Sequence, residues 1–360
     1  MSVGSDGSQS GAHDDVAPLF ARAAAADART HARLQTAIND LLAPEDARLD
    51  DRTRAAVQEL LARLVATVEG DLRLHAGRSL ATRGEPDLAA SLSGDSAPVL
   101  ARLIEAGVIR DADFFGELIG RARLGLLADA LPVAAPEGEE ASLLARLANH
   151  ADRVVATNAV AVLVADSRRT PEESAPILTE LPAELHHKLV WWIAAALREG
   201  RESAAVARAL SDAAQRSIAA HDEGERPEAA AIRLASALDA KAAELPGLLI
   251  GALGDRRAGL FVALIGHSLG IEFGLVRDAL LDPAGERLWL MLRALEMPRE
   301  TIARIGLARS EADPRRDIES FADSLDTIAA IDPGKARDAL APLKLDPAFR
   351  AASLTLGRAR

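Results

Sequence analysis

Apolar residues recur along this chain at spacings of three and four, and no convincing stretch alternates apolar with polar. That period belongs to helices with one buried face. In DDRTRAAVQELLARLVATVE, residues 50–69, Ala56, Leu60, Leu61, Leu64 and Val65 share a face while Arg54, Glu59 and Arg63 lie off it. EGEEASLLARLANHADRVVATNAVAVLVAD, residues 137–166, reads as two helices broken near His150. RRAGLFVALIGHSL reads as an apolar helix ended by Gly270 in a left-handed cap, with the next helix beginning near Ile271. ERLWLMLRAL puts Leu288, Met291, Leu292 and Leu295 on a core face, with Trp289 and Arg293 spaced to stack as a cation–π pair.

The punctuation is helical too. Thr170-Pro171-Glu172-Glu173 has the form of a capping box, with Pro171 in the first helical position. Asp-Pro pairs at Asp282, Asp313, Asp332 and Asp346 each place a capping carboxylate before a helix-starting proline. Residues 1–14 read as a disordered tail of Ser, Gly and Asp. A boundary after Arg169, in RTPEES, divides a repeat region of 15–169 from a helical C-terminal region of 170–360, and HDEGERP near Gly224 marks a second break.

Between residues 50 and 165 three segments share a grammar of an acidic residue followed by helically spaced apolar ones: Asp71 with Leu72, Ala76 and Leu80; Asp95 with Val99, Leu103 and Ile109; Asp152 with Val155, Ala159 and Leu163. Stacked helical hairpins of the HEAT type use this pattern, each burying its face on its neighbours. The fold class expected is all-α, a HEAT-like helical-repeat array (α-solenoid) continuing into a helical C-terminal region. DDRTRAAVQELLARLVATVEGDLRLHAGRSLA, SAPVLARLIEAGVIRDADFFGELI, PAELHHKLVWWIAAALRE and LLIGALGDRRAGLFVALIGHSLGIEFGLVRDAL together resemble the uncharacterised alphaproteobacterial domain-of-unknown-function family numbered 2336. The resemblance covers about residues 16–310. It implies an all-helical fold with HEAT-like repeats, and it carries no activity with it.

Composition narrows the function classes. The absence of cysteine excludes disulfides, thiolate metal sites and cysteine nucleophiles. The formal net charge is −12. Residues 1–180 carry 18 basic and 28 acidic side chains and residues 181–360 carry 24 and 26, so the acidity sits mainly in the first half. Nearly all basic residues are arginine, and none cluster into a stripe suited to a polyanion, so nucleic acid is not an expected partner. The N-terminus lacks the basic and apolar parts of a signal peptide, and no apolar run approaches the roughly 20 residues of a membrane span. These features point to a cytoplasmic protein.

Gly266-His267-Ser268-Leu269-Gly270 fits the Gly-x-Ser-x-Gly nucleophile elbow of serine hydrolases. No histidine follows Ser268, so a triad in the order serine, acid, histidine cannot be completed, and no strand pattern precedes the motif. Glu184 and His187 have the spacing of a di-iron ligand pair, but no second copy exists. Gly334-Lys335 lacks the rest of a phosphate loop, and GALGDRRAG fails the dinucleotide fingerprint. In AELHHKLVWWIAAALRE, Leu185, Leu189, Trp192, Ile193 and Ala196 form an apolar stripe. Trp191 falls in line with His187, Lys188, Ala195 and Arg198, a mixed aromatic and basic face of the kind that anchors protein partners. The expectation is a non-enzymatic cytoplasmic adaptor or regulatory protein without a cofactor. It would bind an unidentified protein through a helical-repeat surface, with His187, Lys188, Trp191 and Arg198 as candidate contacts. The alternatives are a small-ligand or metal-binding helical protein and, more remotely, a serine hydrolase.

Overall fold

The computed structural model describes residues 48–93, 98–132, 141–167, 181–313 and 316–358. The proposed tail of 1–14, the capping box at Thr170 and the boundary after Arg169 lie outside them. By compactness the chain divides into residues 1–54 and 55–360. Within the first unit, Asp50 caps the helix that begins at Asp51, accepting from Thr53 N and Thr53 Oγ1, each at 2.8 Å.

Every regular element among the described residues is helical, as the spacing predicts. The first eight α-helices are α1 (Asp51–Thr82), α2 (Pro86–Ser93), α3 (Val99–Ala106), α4 (Ala112–Ala130), α5 (Leu143–Ala148), α6 (Arg153–Ser167), α7 (Ala183–Arg198) and α8 (Ala204–Ala220). After a 3₁₀ turn at Glu223–Glu225 come α9 (Pro227–Leu238), α10 (Leu245–Gly254), α11 (Ala258–Leu269), α12 (Phe273–Leu281) and α13 (Glu286–Ala294). The last are α14 (Arg299–Ala312), α15 (Ile318–Ala330), α16 (Pro333–Leu340) and α17 (Pro347–Arg358).

Helix α1 runs for 32 residues, so Asp71 lies inside it and starts nothing. The reason is continuity of the buried face. Leu64, Val65, Val68, Leu72, Ala76 and Leu80 are all buried at helical spacing, and this carries the helix through Gly70 and Gly77. The break near His150 falls where expected, between α5 and α6. Two of the Asp-Pro pairs start helices. Asp332 caps α16 by accepting from Lys335 N at 2.9 Å, and Asp346 accepts from Ala348 N at 2.8 Å at the start of α17.

The pair at Asp282 behaves differently: Asp282 ends α12, and the next helix begins only at Glu286. Arginines cause this. Arg309 donates to the carbonyls of Leu280 and Asp282 at 3.0 and 2.8 Å, and Arg316 to that of Asp282 at 2.9 Å. They satisfy the helix C-terminus, where cations are favoured. Gly285 then turns the chain at φ 72°, and a Cβ there would run into the Arg309 guanidinium. Arg309 also lies over Trp289, 4.9 Å from the ring centroid. Trp289 therefore stacks with Arg309 and not with Arg293, which instead donates to the Ile331 carbonyl. Burial, with Arg316 adding its charge, pulls the Arg309 pKa down to about 9.

The buried apolar side chains of residues 55–360 sort into two clusters. The first, here the N-terminal cluster, takes residues from 57–122 and from 181–214, with Phe114, Leu72 and Leu189 among its fully buried members. The second, the C-terminal cluster, takes residues from 124–340, with Phe261, Leu249 and Ile302 at its centre. The chain enters the C-terminal cluster within α4, returns to the N-terminal cluster for α7 and α8, and crosses back near the break at Gly224. Helix α4 serves both: Phe114 and Leu118 face one cluster, Leu124 and Leu127 the other. Arg277 of α12 ties this shared helix in place. Its guanidinium lies against Gly120, where any Cβ would collide, and Nη1 bonds Glu117 Oε2 at 2.8 Å. Burial works against the Arg277 charge, but Glu117 and Asp278 outweigh it and hold the pKa above its ordinary value.

Candidate functional site

Helix α7 carries the residues singled out by sequence. Its buried face is Leu185, His186, Leu189, Val190, Ile193, Ala194 and Leu197, a stripe advancing by three and four. Trp192 and Ala196 fall at its edge, half-buried. Trp192 packs edge-on against Phe114, with centroids 5.6 Å apart. Phe114 in turn sits in the first turn of α4, where its amide donates to the capping carboxylate of Asp111 at 2.9 Å.

The four candidate contacts have different surroundings. His187 is exposed, and Trp191 Nε1 donates to His187 Nε2 at 3.2 Å. Trp191 is half-buried against the N-terminal cluster and is not a free-standing anchor. Lys188 Nζ bonds Asp111 Oδ2 at 2.7 Å. That hydrogen bond, more than the charge itself, lowers the Asp111 pKa and raises that of Lys188. Arg198 is exposed at the other end of the helix, two turns beyond Trp191.

Arg198 borders a cleft of about 450 Å³ between α3 and α7. Leu103, Ala106, Val108 and Trp192 give it an apolar lining, and Ala195 lines it from α7. Val108 is 45% exposed and the nearby Ile104 is 49% exposed. Arg102 and Glu199 bridge the two helices through a forked pair, with Nη2 to Oε1 at 2.7 Å. This hydrogen bond raises the Arg102 pKa and lowers that of Glu199. Arg201 folds back on the carbonyls of Leu197 and Ser91 at 2.7 and 3.1 Å, satisfying the α7 C-terminus. The result is an apolar trough edged by arginines and glutamates.

A family model described as an uncharacterised protein conserved in bacteria (DUF2336) matches residues 127–341. The chain belongs to this family. The match confirms the resemblance read from sequence, and over a shorter span: two of the stretches that suggested it precede residue 127. DUF2336 residues therefore include α7, while α3, the other wall of the cleft, lies before the matched span. No curated protein and no solved structure matches the chain.

The hydrolase motif has another structural role. Ser268 sits exposed in the last turn of α11, with no strand before it among the described residues. Gly270 caps the helix at φ 63° as expected. Gly266 allows close passage of the chain: a Cβ there would stand 2.9 Å from the Ile271 carbonyl oxygen. His267 Nε2 pairs with Asp239 Oδ1 at 3.0 Å. Among the described residues no three His, Asp or Glu side chains gather in a way that would hold a metal ion. Nor is any helix there long and apolar enough to cross a membrane.

Two features escaped the sequence reading. His186 is 2% exposed and stacks on His221, with ring centroids 4.2 Å apart and planes 9° from parallel. Burial drives its pKa from 6.5 to about 4. The signal was its place beside Leu185, Leu189 and Val190 on the apolar stripe. The second is a charged cavity among α1, α4, α6, α9 and α11. Its residues are scattered along the sequence, and no local motif marks them.

Proposed function

We propose that this protein is a non-enzymatic, cytoplasmic adaptor or regulatory protein that binds another protein, and that the α3–α7 cleft is where the partner docks. The cleft carries the reading. It combines exposed Val108 and half-buried Trp192 with Arg102, Arg198 and Glu199, an apolar strip with a charged rim. Interfaces concentrate their energy in such aromatic and arginine groups. His187 and Trp191 extend the surface along the same helix, whereas Lys188 is held by Asp111.

A HEAT-like repeat organisation is part of the proposal. Its support is that chain neighbours pack on each other, α5 on α6, α7 on α8, α10 on α11 and α14 on α15, as stacked hairpins do. The non-enzymatic reading rests on the elbow motif being absorbed into a helix end. A protein partner, not a nucleic acid, suits a net charge of −12.

The test is affinity capture from native cytosol with the wild-type chain beside Ala195→Glu, which adds charge at an exposed position lining the cleft. One or a few stoichiometric proteins held by the wild type and lost by the variant are expected. The same proteins on both baits, or none on either, would contradict the proposal.

A further inference from the structure

The second cavity, of about 330 Å³, opens where the two clusters meet. Helix α1 brings Leu60 and Arg63 from the N-terminal side. Helices α6, α9 and α11 bring Asp166, Glu228 and Leu260 from the C-terminal side, and α4 contributes Arg121 and Leu124. Ligand sites favour such seams, and this volume suits a small molecule.

The charges divide into two sets. Arg121 pairs with Glu228 at 2.6 Å and Arg257 pairs with Asp166, and all four side chains are at least half-buried. These pairs are neutralised and shape the wall. Arg63 is different. It is half-buried, its Nε is cut off from solvent, and it has no hydrogen bond or ion pair with any described residue. A buried donor without an acceptor is a standing free-energy penalty, so an acceptor from outside the chain is favoured at that spot.

Arg256 supplies a second pointer. It stands at φ 59°, a left-handed conformation in which glycine is usual after a helix. Its Nε donates to the Leu131 carbonyl at 2.7 Å, and its terminal guanidinium nitrogens have no acceptor among the described residues. An exposed arginine held under backbone strain and a half-buried one with no partner line the same cavity, so two guanidiniums have donors to spare. Leu60, Leu124, Val162, Leu260 and Phe273 make the remaining lining apolar. Glu59 and Asp129 also line the cavity, both exposed, and they disfavour anions that bind by net charge alone.

We propose that this cavity binds a small amphiphilic anion, its oxyanion head on Arg63 with help from Arg256 and its apolar body against the leucines and Phe273. Carboxylates and phosphate monoesters share that chemistry.

The test is calorimetric titration of the full chain with octanoate and octyl phosphate, with octanol and inorganic phosphate as probes of body and head alone. Saturable one-to-one binding of one or both amphiphiles is expected, at least tenfold tighter than either half-probe, and the stronger head identifies the class. Arg63→Ala should weaken it at least tenfold, and Arg63→Gln, which keeps the side-chain stem, serves the same purpose if the alanine variant does not fold. Gly259→Leu should abolish it without lowering the unfolding midpoint, because Gly259 lines the cavity and a Cβ there meets nothing within 4 Å. No saturable binding of either amphiphile would overturn the proposal. So would octanol binding as tightly as the stronger of the two amphiphiles, or affinity untouched by both the Arg63 and Gly259 variants.

Discussion

The C-terminal cluster draws most of its residues from one long run of helices, α9 to α16, on which the earlier stretch 124–165 packs. The N-terminal cluster is assembled from two separate stretches. Residues 181–214 return to pack on 57–122, leaving 124–165 to the other core. Closing that loop carries an entropic cost, and it makes α7 and α8 depend on partners far away in sequence. The matched family span, 127–341, holds nearly all of the C-terminal cluster but only the returning half of the N-terminal one. Both the α3–α7 cleft and the charged cavity straddle the edge of that span. The charged cavity lies where the two clusters meet, whereas the α3–α7 cleft lies within the N-terminal cluster, between its two stretches.

Removing one half of the chain should have the largest effect. A chain cut to residues 127–341 is expected to keep slow amide exchange in α9–α13 and to lose it in α7 and α8, whose buried Leu189, Ile193 and Val206 would have lost α1 and α3. Equal protection of α7–α8 in the cut and full chains, read by hydrogen-exchange mass spectrometry, would show the N-terminal cluster to be dispensable. Single core truncations come next. Phe114 and Phe261 are each 0% exposed. Phe114→Ala and Phe261→Ala should each cost about 3–5 kcal/mol. Because α4 belongs to both cores, each should shift one shared unfolding transition. Urea melts followed by circular dichroism and by tryptophan fluorescence would test this, since Trp191 and Trp192 report one cluster and Trp289 the other. Separate transitions would mean that the clusters are independent domains.

Arg277 sharpens the seam further. Its side chain is 10% exposed and that of Glu117 16%, so Arg277→Ala strands a carboxylate in a nearly closed site. A loss of about 3 kcal/mol is expected, and Arg277→Met combined with Glu117→Leu should recover much of it in the same urea assay. The smallest effect is a pH dependence confined to the α7–α8 contact. The folded-state pKa of His186 lies near 4, below its ordinary 6.5. The unfolded chain therefore takes up a proton that the folded chain refuses. Stability from this residue is complete above pH 6.5 and falls as the pH drops towards 4. The full shift corresponds to an upper bound of about 3 kcal/mol. The difference between wild type and His186→Leu, measured from pH 7 to 4, should show this slope, and parallel curves would deny it.

Sequence periodicity revealed most of the helices because burial of one face is written locally. The α1 stripe and the Asp332 and Asp346 caps are examples. It misplaced the helix start at Asp282 because Arg309 and Arg316, about thirty residues away, cap α12 and reroute the chain. It paired Trp289 with Arg293 by spacing, while the cation above the ring comes from α14. The candidate contacts on α7 were legible only as a helical face. That Lys188 is tied to Asp111, and that Arg198 looks into a cleft walled by α3, depends on which distant helix lies alongside. Arg63 was placed off the apolar face correctly, yet nothing near it in sequence announces the cavity.

The proposed docking site needs both of its walls, α3 and α7. Hydrogen-exchange mass spectrometry of the full chain, with and without its captured partner, reads both walls at once. Joint protection of residues 99–108 and 191–202, with the rest unchanged, is the predicted result. Protection confined to other helices, or to only one wall of the cleft, would contradict it.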